Sequence, residues 1–317
     1  MGKQGKIIGA LSTAASVLAA MHVFNLTYNY YACRKHLLPK SPENLFMWKG
    51  INVYYEKHGE GSPLILIHSL HPAVCSYEWH EIVDKLAEQH TVYLIDLPGC
   101  GRSAKPGVLY TNFYYVNFLK DFIKEMGIEK PAVAASNSSV SLALMLAAYD
   151  KDLISRIIMI NPKSPSELAL NPNFKSRLIY HILKPPFIGT FIYSVISCRA
   201  QVDHTIIEKY FYNPFHDTDE LVDTYCESAH LKGGRGHFFA ASLYGKFINA
   251  NLAQALKKLD LPIKLIEGRS TDSSEQNVEE WTAFYPKVET VFIDHSRNLP
   301  MLEEPEQTAD EILSFMD

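Results

Sequence analysis

The chain has 317 residues, of which 47% are hydrophobic and 21% charged, and its formal net charge is −5. That composition excludes a largely disordered protein and suits one large α/β unit with an insertion, or two smaller units. The acidic balance gives no electrostatic footprint for nucleic acid, and a single long apolar run excludes a multi-span membrane protein. Cys33, Cys75, Cys100, Cys198 and Cys226 are scattered, odd in number and free of CxxC spacing. Neither a disulfide scaffold nor a structural zinc site is expected, and a reducing compartment is the simpler reading.

Lys3 and Lys6 precede a stretch over residues 7–31 that contains no charged side chain. At about 1.5 Å per residue, a helix of that length crosses a hydrocarbon layer of about 30 Å. Tyr28, Tyr30 and Tyr31, followed by Arg34 and Lys35, resemble an interfacial belt and a charged stop. Residues 1–35 are therefore expected to be a single-span membrane anchor. A signal peptide cleaved near Val17-Leu18-Ala19 and a helix lying on a surface are the alternatives. The basic residues balance across the segment, so the side of the membrane is not readable. Lys6 stands where a myristoylation signal needs Ser or Thr.

Residues 36–46 are polar with two prolines and read as a linker. Strands are then expected over 51–57, 63–68, 91–96, 132–135 and 156–160. Helices are expected over 79–89, 111–126 and 140–149, with Gly127 as a stop. The continuous apolar strands PLILIH and RIIMI imply a parallel sheet covered on both faces. The alternation breaks after Asn161-Pro162. Residues 163–255 read as a helical insertion rich in aromatic residues (Phe187, Phe191, Tyr193, Tyr210, Phe211, Tyr212, Phe215). Strand and helix resume over 262–267, 275–285, 288–293 and 305–316.

Three motifs carry a resemblance to a known family. Residues 65–69 (ILIHS) are followed by Trp79, residues 96–103 read DLPGCGRS, and residues 299–306 read LPMLEEPE. In order and spacing the chain resembles the α/β-hydrolases with a helical cap, from about Phe46 to the C-terminus. The resemblance implies a core over 47–162 and 256–317 with a cap over 163–255. It also implies hydrolysis of an ester or similar small acyl substrate with no metal or organic cofactor.

That family carries its nucleophile on a Gly-x-Ser-x-Gly turn between strand and helix, where free N–H groups stabilise an oxyanion. Ser136-Asn137-Ser138-Ser139-Val140 fills the place here, and the alignment puts Ser138 at the nucleophile, although both glycines are missing. The serines also suit a helix cap. The resemblance assigns the oxyanion donors to the backbone N–H groups of Ser139 and Leu70, with His68 supporting the loop. The acid expected in Gly-x-x-Asp comes one residue late, as Asp272 in Gly268-Arg269-Ser270-Thr271-Asp272. A solvated loop Asp is the plainer alternative. The base position, just before LPMLEEPE, is Asn298, which has no usable pKa for general-base work. His295, three residues earlier, is the remaining imidazole on that loop. His216 and His237 fall in the insertion and read as packed or surface residues, and no HExxH motif occurs.

Two functions follow. One is a membrane-anchored serine hydrolase in which Ser138 attacks, His295 takes the proton and Asp272 supports it. The other is a non-catalytic relative that binds a ligand or partner, because Asn298, Val140, Ser136, Ser69 and the late Asp272 depart from the pattern.

Overall fold

The computed structural model describes residues 3–39, 44–213, 218–269 and 272–316. It opens with helix α1 (Lys3–Ala32). Then come β1 (Leu45–Trp48), β2 (Ile51–His58), β3 (Ser62–Ile67), α2 (Val83–Ala87), β4 (His90–Ile95), α3 (Asn112–Glu125), β5 (Ala132–Ser136), α4 (Val140–Tyr149) and β6 (Ile157–Ile160). Seven helices separate β6 from the next strand: α5 (Pro165–Leu168), α6 (Phe174–Leu183), α7 (Ile188–Ile196), α8 (Arg199–Thr205), α9 (Asp219–His230), α10 (His237–Tyr244) and α11 (Ala253–Leu256). The chain closes with β7 (Ile263–Arg269), α12 (Asp272–Phe284), β8 (Glu289–Asp294), α13 (Pro300–Glu303) and α14 (Pro305–Met316).

The eight strands form one sheet in the order β1-β2-β4-β3-β5-β6-β7-β8, antiparallel across β1, β2 and β4 and parallel beyond. Successive side chains of a strand point to opposite faces. In β5, accordingly, Val133 and Ala135 enter one core cluster while Ala132 and Ala134 enter the other. Both faces are dry, which is why the central strands carry no polar alternation. The expected α/β-hydrolase sheet with helices on both faces is therefore present.

Two local readings change. Residues 36–46 do not all belong to a linker, because β1 begins at Leu45 and pairs with β2. The signal was the Lys49-Gly50 turn, where both residues have positive φ (47° and 80°); two such residues match the twist of a tight hairpin. Phe46 and Trp48 turn inward against Phe118 and Phe122, leaving Leu45 and Met47 outward. The helix expected over 79–89 is instead a 3-10 turn (Ser76–Trp79) followed by the short α2.

The DLPGCGRS segment folds as a turn around one buried ion pair. Arg102 donates from Nε to the Asp96 carboxylate at 2.8 Å, from Nη1 to Glu56 at 2.8 Å and from Nη2 to Ser76 Oγ at 2.6 Å, and its plane lies over Tyr54. Burial alone would raise the Asp96 carboxyl, but the Arg102 guanidinium and its hydrogen bonds hold it well below the usual range. At Gly101, φ is +48° and a Cβ would overlap the Asp96 carboxylate, so only glycine fits.

Within α1, the segment Gly9–Ala32 is long and apolar enough to cross a membrane, a test that signal sequences and core helices also pass. The side chains from Gly9 to Ala20 are exposed, whereas Asn25 and Asn29 are buried. The last turns dock on the inserted helices. Asn25 donates to the Phe187 carbonyl, Tyr28 packs edge-on against His230, and Lys35 pairs with Asp223. The backbone N–H groups of Leu37 and Leu38 donate to the Glu227 carboxylate at 2.9 and 3.3 Å. Three aromatic residues of the insertion pack in this region. Phe187 and Phe191 meet His22 and Phe24, and Tyr193 is buried with its hydroxyl on the Ala229 carbonyl. Phe215 and His216 lie outside the described residues, and His237 is buried with its ring against Phe238.

Candidate functional site

In a sheet of this kind, ligands bind beyond the carboxyl ends of the strands, near the point where strand order reverses. Here β3 has β4 on one side and β5 on the other. A half-open cavity of about 510 Å³ lies beside that point, at the ends of β5, β6 and β7. Asn137, Asn161, Lys163, Glu267, Asn277 and Asn298 line it.

The turn after β5 is strained, and the strained residue is Asn137. Its φ is +54°, while Ser138 belongs to the one-turn 3-10 helix (Asn137–Ser139) that leads into α4. Asn tolerates left-handed backbone better than other side chains bearing a Cβ. The elbow therefore presents residue 137 to the cavity, and Ser138 is not among the described residues that line it. Ser138, the serine expected at the nucleophile, lies one position past this positive φ. The small residues two places either side of the elbow are Ala135 and Ser139, not Ser136 and Val140. Ser139 is the residue at the close crossing of strand and helix; its hydroxyl donates to the carbonyls of Ser136 (2.6 Å) and Ile67 (3.2 Å). Val140 packs in the core without hindrance.

The amide following the elbow residue is that of Ser138, not Ser139, and it donates to the Asn137 side-chain oxygen at 2.9 Å. Leu70 is buried in the core cluster on the β3 loop. His68 serves the backbone. One ring nitrogen meets the Ser69 carbonyl at 2.8 Å and the other accepts from the Leu97 N–H at 3.1 Å, tying the loops after β3 and β4 together. Burial holds its pKa below the ordinary value. Under the same loop, buried Glu78 accepts from the Ser69 N–H at 2.7 Å, and burial pushes its carboxyl up to about 7.

The loop after β8 does not bring an imidazole to the elbow. His295 has φ +56°, is exposed, and meets the Tyr212 ring with centroids 6.1 Å apart; it does not line the cavity. Asn298 does line it, and is fixed by two donations into the π-helical turn (Ile206–Tyr210): N–H to the Tyr210 carbonyl at 2.9 Å and Nδ2 to the Lys209 carbonyl at 3.1 Å. Asp272 begins α12, but its side chain, like Ser270 and Thr271, lies outside the described residues.

The alignment missed Asn161, Lys163, Glu267 and Asn277. Glu267 follows Leu265-Ile266 near the end of the buried run of β7, and Asn277 of α12 donates to both its oxygens at 3.2 and 3.1 Å. Burial pushes its carboxyl up to about 8, against the opposing effect of Asn277. Asn161 has φ +41° and accepts from the Gly268 N–H at 2.9 Å. The available signal was polarity at strand ends, where an apolar run stops on Asn or Glu. The cavity thus offers the carboxamides of Asn161, Gln276, Asn277 and Asn298 around the elbow, a lysine, and the carboxyls of Glu167, Glu280 and Glu267, the last with its pKa raised by burial. It can donate to and accept from a neutral polar ligand. Among the described residues, no cluster of three or more metal-ligating side chains occurs.

Two expected results follow here. A Cβ at Gly268 would overlap the Arg297 carbonyl. Gly268→Ala is therefore expected to displace the Asn298 loop and lower stability by about 1–3 kcal/mol, read as a fall in melting temperature. Glu267 is protonated more readily in the folded state than in the unfolded one, so its contribution is fully present below about pH 4.5 and is lost as pH rises through about 8. Glu267→Gln is expected to remove a stability drop on the order of 2–4 kcal/mol across that window, with the smaller part due to Glu78 remaining. Denaturant titrations at several pH values measure both.

Comparison with known proteins agrees with the fold. The model of the alpha/beta hydrolase fold family matches residues 62–305. The soluble epoxide hydrolase of Corynebacterium sp. (strain C12) is 25% identical over 68% of this chain and 77% of that protein. The 2-hydroxy-6-oxo-6-(2'-aminophenyl)hexa-2,4-dienoic acid hydrolase of Metapseudomonas resinovorans is 22% identical over 84% of this chain and 88% of its own. Among solved structures, that of the epoxide hydrolase CorEH without ligand superposes with a TM-score of 0.70 at 23% identity, covering 86% of this chain and 96% of that one. The chain belongs to the α/β-hydrolase family.

Proposed function

We propose that this chain is a membrane-anchored α/β-hydrolase-fold protein that binds a small carbonyl-bearing ligand over its elbow without cleaving it. The observation that carries this reading is Asn137 in the elbow conformation. A carboxamide there is no nucleophile, and its oxygen already accepts from the amide that would hold an oxyanion. Asn298, at the base position, cannot take a proton near neutrality. The same groups suit recognition, since carboxamides match both donors and acceptors of a ligand carbonyl or hydroxyl. In this reading residues 1–35 are the anchor, 163–255 act as the cap, and 47–162 with 256–317 form the core. The part of α1 before Met21, from Lys3 to Ala20, is about 27 Å long, close to a hydrocarbon thickness.

A second reading is hydrolysis through Ser138, with Asp272 and His295 as partners and Leu70 and Ser139 as oxyanion donors. The relatives named as hydrolases favour it. Treatment of the full chain with a fluorophosphonate separates the two. Binding without cleavage predicts an unchanged intact mass. One adduct that disappears in Ser138→Ala would establish the hydrolase instead.

A further inference from the structure

A second cavity, of about 560 Å³, lies at the opposite edge of the sheet, against β1 and β2. Of its twelve lining residues four are cations, Arg102, Lys105, Lys232 and Arg235, and none is acidic. Arg102 is committed to Asp96 and Glu56. The other three form no ion pair among the described residues. Lys105 is 3% exposed and donates to the Ser228 carbonyl at 2.8 Å. Burial pulls its ammonium down to about 8 against the opposing effect of the Asp96 carboxylate, and the Ser228 carbonyl that it meets does not line the cavity. Lys232 and Arg235 flank the Gly233-Gly234 turn, both of whose residues have positive φ. Arg235 is held by donating from Nε to the Lys105 carbonyl at 3.0 Å.

The remaining wall is apolar. Leu45 and Met47 face it, 40% and 60% exposed, because Phe46 and Trp48 of the same strand turn inward. Ile51 and Pro106 extend the surface. Two exposed cations without an ion-pair partner among the described residues, Lys232 and Arg235, over an apolar strand edge match an anionic head joined to a hydrocarbon chain.

We propose that this cavity binds a phosphate monoester carrying an alkyl chain, with the phosphate on Lys232 and Arg235 and the chain along Met47 and Leu45. It is a site separate from the elbow and does not depend on the function proposed there.

The test uses the full chain in phosphatidylcholine nanodiscs, titrated calorimetrically with hexyl phosphate, inorganic phosphate and hexyltrimethylammonium. Hexyl phosphate is expected to bind at least about tenfold tighter than inorganic phosphate, and hexyltrimethylammonium not to bind above empty nanodiscs. Lys232→Gln/Arg235→Gln changes exposed side chains only and is expected to weaken hexyl phosphate at least about tenfold. Met47→Asn is expected to erase the advantage of hexyl phosphate while leaving inorganic phosphate unchanged. Inorganic phosphate binding as tightly as hexyl phosphate would mean a site for a free anion and overturn the amphiphile. An unchanged affinity in the double variant, or equal binding of the quaternary ammonium, would overturn the site.

Discussion

The double variant Asn137→Ser/Asn298→His is expected to gain esterase activity, hydrolysing p-nitrophenyl acetate at least about 100-fold faster than either single variant. The elbow conformation is already present at residue 137, and residues 137 and 298 line the same cavity. Serine at 137 supplies a hydroxyl and frees the Ser138 N–H from the carboxamide that now occupies it. Histidine at 298 supplies the missing base. Each change alone leaves the reaction without its partner, so the effects are strongly non-additive. A fluorophosphonate should add once to the double variant and not to the parent chain. If the double variant folds with an unchanged melting temperature and still takes no label, the cavity does not have the geometry of an acyl-transfer site.

The second large effect concerns the ion pair under the DLPGCGRS turn. Arg102→Met is expected to lower stability by about 3–5 kcal/mol, because it strands a fully buried Asp96 carboxylate. For a chain of this size that is a fall in melting temperature of roughly 5–8 °C. Asp96→Asn/Arg102→Met removes both charges and should recover part of the loss. The pH dependence has a definite sign. The folded carboxyl is depressed, so its stabilisation is complete above about pH 4, near the unfolded value, and fades as pH falls toward the folded one. The double variant should lack that acid-side loss. A single variant as stable as the parent would mean that the pair contributes nothing net.

The fold was legible because its signals are local. Apolar runs such as PLILIH and RIIMI, glycines at fixed offsets and the order of the motifs each specify one element or one turn. The site was less legible, for an identifiable reason. In Ser136-Asn137-Ser138-Ser139 a search for a hydroxyl nucleophile settles on the nearest serine of plausible register. Backbone conformation, which a sequence states only indirectly, puts the positive φ one residue earlier. Ala135 and Ser139 were the clue, since the close crossing needs small residues on both sides of the elbow. Glu267 was hidden differently. Its role comes from burial beside Asn277, ten positions away on α12, which no spacing rule encodes. The Asn298 reading needed no structure, because LPMLEEPE fixes the position and the residue type alone decides its chemistry.

The docked end of α1 has one more consequence. Asn25, Asn29 and Tyr28 key its last turns into the inserted helices, and Glu227 grips the backbone immediately beyond. If α1 sits in a bilayer, as proposed above, the body would be mounted on a mast and would not swing on a tether. A flexible tether would let the body sample every heading above the lipid. A mast sets the heading once, so the elbow cavity and the basic cavity each keep a constant height and bearing relative to the membrane plane.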